Sequence, residues 1–219
     1  DRRKFINFQT ASIFRKQFFD RLYDEKIDTH IIIGNHDTYF KNTNKVNAIE
    51  NLYSSFDKVN EPFIYTKSTV VDFDGTPILF TPWICDDNYE HSMEMLRTAK
   101  ADLCFGHLEI KGIEMQNGVI NEYGLAKSDF SRFEKVVSGH FHKHTDDGQI
   151  FYCGAQYEMT WSDYKDPKAF HVFDTETREM TRISNPFTIH KKIIYDDKKH
   201  DYTNFDIQPY NEHFIKLIV

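Results

Sequence analysis

Apolar and polar positions alternate between two periods along the chain. Over residues 7–26, Phe8, Ile13, Phe14, Phe18 and Leu22 recur at helical spacing with charges between them, which predicts an amphipathic helix packed on a sheet. Residues 29–33 form a continuous β-branched run, the pattern of a strand covered on both faces. A short helix is predicted over residues 47–56, with Ala48, Leu52 and Tyr53 inward. Residues 69–73 and 77–80 flank Asp74-Gly75, a hairpin signal. A helix over 91–99 and a buried strand over 102–105 follow, then an irregular, Gly-containing loop over 110–127. Residues 135–138 read as a strand. Residues 150–153 and 169–173 read as two antiparallel strands, with a polar aromatic loop and Trp161 between them. A turn at 174–177 leads into 179–183. From Pro186 the character changes, with Lys and Asp runs before a last strand at 214–219, so a boundary is expected there, dividing 1–185 from 186–219. There is no internal repeat or low-complexity tract.

Three of these strands end alike. They read Ile31-Ile32-Ile33-Gly34-Asn35-His36-Asp37, then Leu103-Cys104-Phe105-Gly106-His107, then Val136-Val137-Ser138-Gly139-His140-Phe141-His142. In layered α/β folds, ligands gather at the carboxyl ends of strands. Histidines at i and i+2 point the same way on a strand, or fan around a common point if the Gly opens a turn. Neutral imidazole is the commonest metal ligand. Taken singly, His107 reads as a core histidine, Asn35-His36-Asp37 as a polar turn, and His140, His142 and His144 as hairpin surface residues. A core explanation gives no reason for the threefold repetition of Gly followed by His or Asn-His, so the set points to a metal centre.

Composition narrows the setting. Hydrophobic content of 40%, with 20 Phe and 12 Tyr, supports a packed core. The net charge of −7 excludes a uniformly polyanion-binding surface. Three widely spaced Cys (Cys85, Cys104, Cys153) with no C-x-x-C read as free, mostly buried thiols in a reducing compartment, and they argue against a structural zinc site. No run reaches membrane-span length and no signal peptide is visible. Arg2-Arg3-Lys4 and Lys191-Lys192 are small basic clusters of the kind usually solvated.

Gly34-Asn35-His36-Asp37, Gly106-His107 and Gly139-His140-Phe141-His142 occur in the order and approximate spacing of the calcineurin-like metallophosphoesterases. Gly106-His107-Leu108-Glu109, Tyr152-Cys153-Gly154-Ala155 and Asp166-Pro167-Lys168-Ala169-Phe170 resemble the nuclease subunit of SbcC–SbcD-type repair complexes, most of all its phage recombination-endonuclease form. The resemblance implies an α/β fold, a β-sandwich flanked by helices in four layers. It implies two divalent metal ions, usually manganese, with Asn35, His107 and His140 on one and His142 on the other. His36 would sit beside the scissile phosphate, with Asp37 orienting it. Two metals ~3.5–4 Å apart clamp the attacking and leaving oxygens of an in-line displacement. The resemblance further implies DNA as substrate, a homodimer, a coiled-coil ATPase partner of SbcC type, a DNA-capping region beginning at residues 186–219, and a cytoplasmic setting in a bacterial or phage-infected cell.

The chain departs from that pattern at its start. The family opens with an Asp-x-His strand and a Gly-Asp-x-x-Asp turn that supply the remaining ligands and the bridging carboxylate. Here Asp1, before Arg2-Arg3-Lys4, resembles the last Asp of that turn. The expectation is a piece cut at both ends and lacking its first strand or strands and the bridging Asp, which holds at most one cation well and has little or no hydrolytic activity. A phosphatase or phosphodiesterase for small phosphoesters, and a non-catalytic scaffold, are the competing readings.

Overall fold

The apolar runs order themselves around one central sheet. The computed structural model describes residues 5–53, 62–116 and 118–219. The first helical stretch comprises α1 (Phe8–Phe14), a π-helical turn (Arg15–Phe19) and α2 (Asp20–Asp24). β1 (His30–Ile32), α3 (Ala48–Tyr53), β2 (Phe63–Tyr65), β3 (Thr69–Phe73) and β4 (Thr76–Thr81) follow. Next come α4 (Tyr89–Thr98), β5 (Leu103–Gly106), β6 (Glu114–Gln116), β7 (Val119–Ile120), a 3-10 turn (Lys127–Phe130) and β8 (Lys135–Ser138). β9 (Thr145–Asp146), β10 (Ile150–Tyr152), β11 (Ala169–Phe173), β12 (Met180–Ser184), β13 (His190–Ile194) and β14 (Phe214–Ile218) complete the chain. The expected helix over 47–56 forms over Ala48–Tyr53, and its remainder, like Arg2-Arg3-Lys4, lies outside the described residues.

The central sheet runs β3-β4-β5-β8-β10-β9. Its four inner strands are parallel, and β3 and β9 close the edges antiparallel. The inner runs are continuously apolar because both faces are covered. On one face Leu79, Cys104, Val136, Ile150 and Tyr152 pack with Leu96 of α4 and with Phe130 and Phe133. On the other, Ile78, Phe80 and Leu103 pack against Ile32 of β1, Tyr65 of β2 and Phe173 of β11. Strands thus pack on strands and helices lie outside, the expected α/β sandwich. The β3–β4 turn falls at Asp74-Gly75, whose φ values of 51° and 90° are those of a tight hairpin.

Several expectations need correction. Phe8, Ile13, Phe14 and Phe18 are exposed, and the buried residue of the first helix is Phe19. The π-helical turn, closed by the Asp20 N–H on the Arg15 carbonyl, inserts a residue and rotates the face. Phe14 and Phe19 pack on Tyr53 of α3 rather than forming a wide seam with the sheet. β1 is only half-buried and, among the described residues, pairs with β2 in a two-stranded sheet. Residues 150–153 and 169–173 are not partners: β10 runs parallel to β8, and β11 forms a hairpin with β12. His144 is not a free surface residue, because its Nδ1 lies 2.8 Å from the Tyr152 carbonyl and its ring packs on Phe151 and His171.

After residue 186, β13 and β14 pair parallel with each other. Buried Glu158 ties this pair to the core, accepting the Ile189 and His190 N–H groups at 2.7 and 2.8 Å. Lys191 and Lys192 are half-buried, with their ammonium groups over the rings of Tyr210 and Tyr164.

Candidate metal centre

Strand register brings the motifs to one edge. Thr81, Gly106, Ser138 and Tyr152 are successive cross-strand neighbours at the carboxyl ends of β4, β5, β8 and β10. The Trp83 N–H donates to the Ile33 carbonyl at 2.8 Å, which fastens the end of β1 to the same edge. The ladder continues one step past the strands, with His107 N–H on the Thr81 carbonyl and Gly139 N–H on the Gly106 carbonyl, both 3.0 Å. Buried Ser138 and Tyr152 brace the loop after β5. The Ser138 hydroxyl accepts the Leu108 N–H at 2.9 Å, while the Tyr152 hydroxyl donates to the Leu108 carbonyl at 2.9 Å and accepts the Ile110 N–H at 3.2 Å.

The glycine at position 34 has a specific reason. A Cβ there would lie 2.8 Å from His107 Cε1, so only glycine lets the imidazole lie against the turn. Past Gly139 the chain leaves strand geometry altogether. His140 has φ 81°, in the left-handed region that costs a non-glycine residue about 1–3 kcal/mol and recurs at functional sites. The two histidines therefore fan from a turn rather than project from a strand.

The structure brings Asn35, His107 and His140 together. His107 Nε2 lies 2.9 Å from Asn35 Oδ1 and 3.1 Å from His140 Nδ1, with the two rings crossed at 76°. The amide oxygen can only accept, so without a proton on His107 Nε2 or His140 Nδ1 the oxygen and the two ring nitrogens present lone pairs to one another at these distances. Burial, then the neighbouring His140 and His36, pull the His107 pKa down to about 3. Burial, then His36 and His142, pull His140 down to about 4. Both rings are thus neutral at neutral pH, and an oxygen with two neutral imidazoles fits a divalent cation such as manganese or zinc. Among the described residues, no three His, Cys, Asp or Glu side chains form a metal-binding group; the convergence here includes an amide.

The remaining candidates lie around this point. His36 is exposed and close enough to act electrostatically on both His107 and His140. With Asp37 it borders a cleft of about 490 Å³ whose other wall includes Phe5, Phe14, Leu52 and Tyr53. The Asp37 carboxylate turns back to accept the Gly34 N–H at 2.7 Å. Burial raises its pKa, against the opposing effects of that N–H and of His36. His142 acts electrostatically on His140, but its Nδ1 faces Asp163 at 3.5 Å. Ser138 and Tyr152 lie within the sequence motifs above but carry no role there, and Asp163 lies in none. The only sequence signal for Asp163 is its place three residues after Thr160, a capping-box spacing that the structure realises.

Tyr157 is exposed. Trp161 packs on His190 and Tyr164 rather than standing free.

No protein-family model matches the chain. The sequence is 36% identical over 206 residues to "Exonuclease subunit 1" of Enterobacteria phage T4, an alignment covering 94% of this chain and 59% of that protein. The chain thus spans about three-fifths of the length of its curated relative. Among solved structures, an archaeal phosphodiesterase matches with a TM-score of 0.35 and 14% identity, over 82% of this chain and 96% of that one. The likeness to the phage exonuclease subunit bears out the resemblance read from the three Gly-His motifs.

Proposed function

From its homology to a phage exonuclease subunit, we propose that this chain carries the core of a metal-dependent phosphodiesterase acting on DNA. The observation that carries the reading is the meeting of Asn35 Oδ1, His107 Nε2 and His140 Nδ1 within 2.9 and 3.1 Å contacts at one sheet edge. In this reading those three residues hold one divalent cation, manganese being the expected ion, and His142 contributes to a second. Bound cations would supply charge neutralisation for an in-line displacement at phosphorus.

The chain's own groups do the rest. His36, exposed on the edge of the cleft, stands beside the scissile phosphate and protonates the departing oxygen or stabilises its charge. Asp37 fixes the turn that presents His36 by accepting the Gly34 N–H, and its charge orients the imidazolium. The neutral state of His107 and His140 leaves their lone pairs available without a competing proton. Residues 1–185 form the nuclease core and 186–219 begin a DNA-capping region. The working assembly is a homodimer with a coiled-coil ATPase.

The test is incubation of end-labelled single-stranded and nicked DNA with stoichiometric protein and manganese. Slow cleavage, stopped by EDTA and abolished in His107→Ala, is expected. Cleavage that survives EDTA or His107→Ala overturns the proposal, as does the absence of both cleavage and saturable manganese binding.

A further inference from the structure

A buried ionic group stands behind His142 and is unused by the chemistry above. Lys168, at the foot of β11, is 4% exposed, and Asp163 is 3% exposed. The Lys168 ammonium donates to Asp163 Oδ1 at 2.8 Å, to Asp166 Oδ2 at 2.7 Å and to the main-chain carbonyl of His142 at 3.0 Å. The same Asp163 Oδ1 lies 3.5 Å from His142 Nδ1. The other oxygen, Oδ2, accepts the Thr160 N–H at 2.8 Å and the Met159 N–H at 3.1 Å, so the carboxylate cannot swing away. The Ala155 N–H also donates to the His142 carbonyl at 3.0 Å. His142 is therefore held at its backbone and faced at its ring by one connected set.

Two buried charges and the partly buried Asp166 are costly to desolvate, and apolar side chains would tether the loop as well or better. Apolar residues cannot select an imidazole tautomer. A carboxylate facing one ring nitrogen favours the proton there and leaves the other nitrogen bare. Taking His142 as a cation ligand, as above, we propose that Asp163 and Lys168 are positioning residues that hold its proton on Nδ1 and direct the Nε2 lone pair to the cation. The Lys168 ammonium on Oδ1 and the Met159 and Thr160 N–H groups on Oδ2 fix the acceptor that faces Nδ1.

The test has two readouts on the full chain. Long-range proton–nitrogen NMR on 15N-histidine protein without metal reads the His142 tautomer directly. The Nδ1–H form is expected in the wild type, and a mixture in Asp163→Ala. Wild-type protein with the proton on Nε2 overturns the proposal, whatever the variants do. Manganese titration followed by electron paramagnetic resonance then compares wild type, Asp163→Ala, Lys168→Arg and His142→Ala, each checked for folding by thermal melt. Asp163→Ala is expected to weaken the His142-dependent site about 10–100-fold. Lys168→Arg, which keeps the charge but not the ammonium's three-way geometry, should shift affinity in the same direction by less. If His142→Ala weakens binding while folded Asp163→Ala does not, the positioning role fails and the ligand role stands. If His142→Ala changes nothing, the ligand reading fails and takes this inference with it.

Discussion

The two halves of the candidate centre are held in place by different means. His107 and His140 follow directly from ends of the central strands, where cross-strand hydrogen bonds at Thr81, Gly106 and Ser138 set their positions, and Asn35 follows β1, whose end the Trp83 N–H fastens to that edge. Main-chain hydrogen bonds are enough to make them meet. His142 sits two residues beyond a left-handed turn and depends on side chains more than twenty positions later, in a loop the sheet does not fix. One half is a product of backbone register; the other is a product of buried charge. The first is insensitive to any single surface group, whereas the second fails if one ion is removed.

That contrast is sharpest at Lys168. Lys168→Met leaves Asp163 and Asp166 without their cation, and a loss of about 3–5 kcal/mol in unfolding free energy is expected, read by urea melts. On the sheet side the effects are smaller and local. Gly34→Ala forces a Cβ to 2.8 Å from an imidazole already held by Asn35 and His140, so about 1–3 kcal/mol is expected, with weakened manganese binding. Tyr152→Phe keeps the ring but leaves the buried Leu108 carbonyl and Ile110 N–H without their partner. It should cost about 1–3 kcal/mol by the same melts.

The smallest effect is one of pH. Asp163 has a depressed pKa when folded, so its contribution is present above the ordinary carboxylate pKa and is lost as pH falls through the lower folded value. Wild-type stability should therefore decline on acidification more steeply than that of Asp163→Asn. Parallel acid limbs in the two proteins would show that the carboxylate is not the controlling group.

The same contrast explains what could be read in the sequence. The sheet half was legible because Gly-His and Gly-Asn-His after continuous apolar runs mark strand ends, and strand ends in parallel sheets share an edge. The hairpin at Asp74-Gly75 was legible for a related reason: Asp and Gly are residues favoured where the backbone takes positive φ, as it does at both turn positions. The first helix was misread because periodicity assumes 3.6 residues per turn, and the π-helical turn at Arg15–Phe19 breaks that count and buries Phe19 instead of Phe18. The pairing of β10 with β8, rather than with β11, depends on long-range docking that no local pattern records. Asp163 shows locally only its capping-box place after Thr160, and its approach to His142 joins positions twenty-one residues apart, which no local pattern records.

The most direct measurement is a manganese titration of this chain beside His107→Ala, followed by electron paramagnetic resonance. His107 is the residue both other sheet-held donors touch. Saturable binding in the wild type that is lost in a folded His107→Ala is predicted. Equal binding in the two proteins would contradict a cation site at the strand ends.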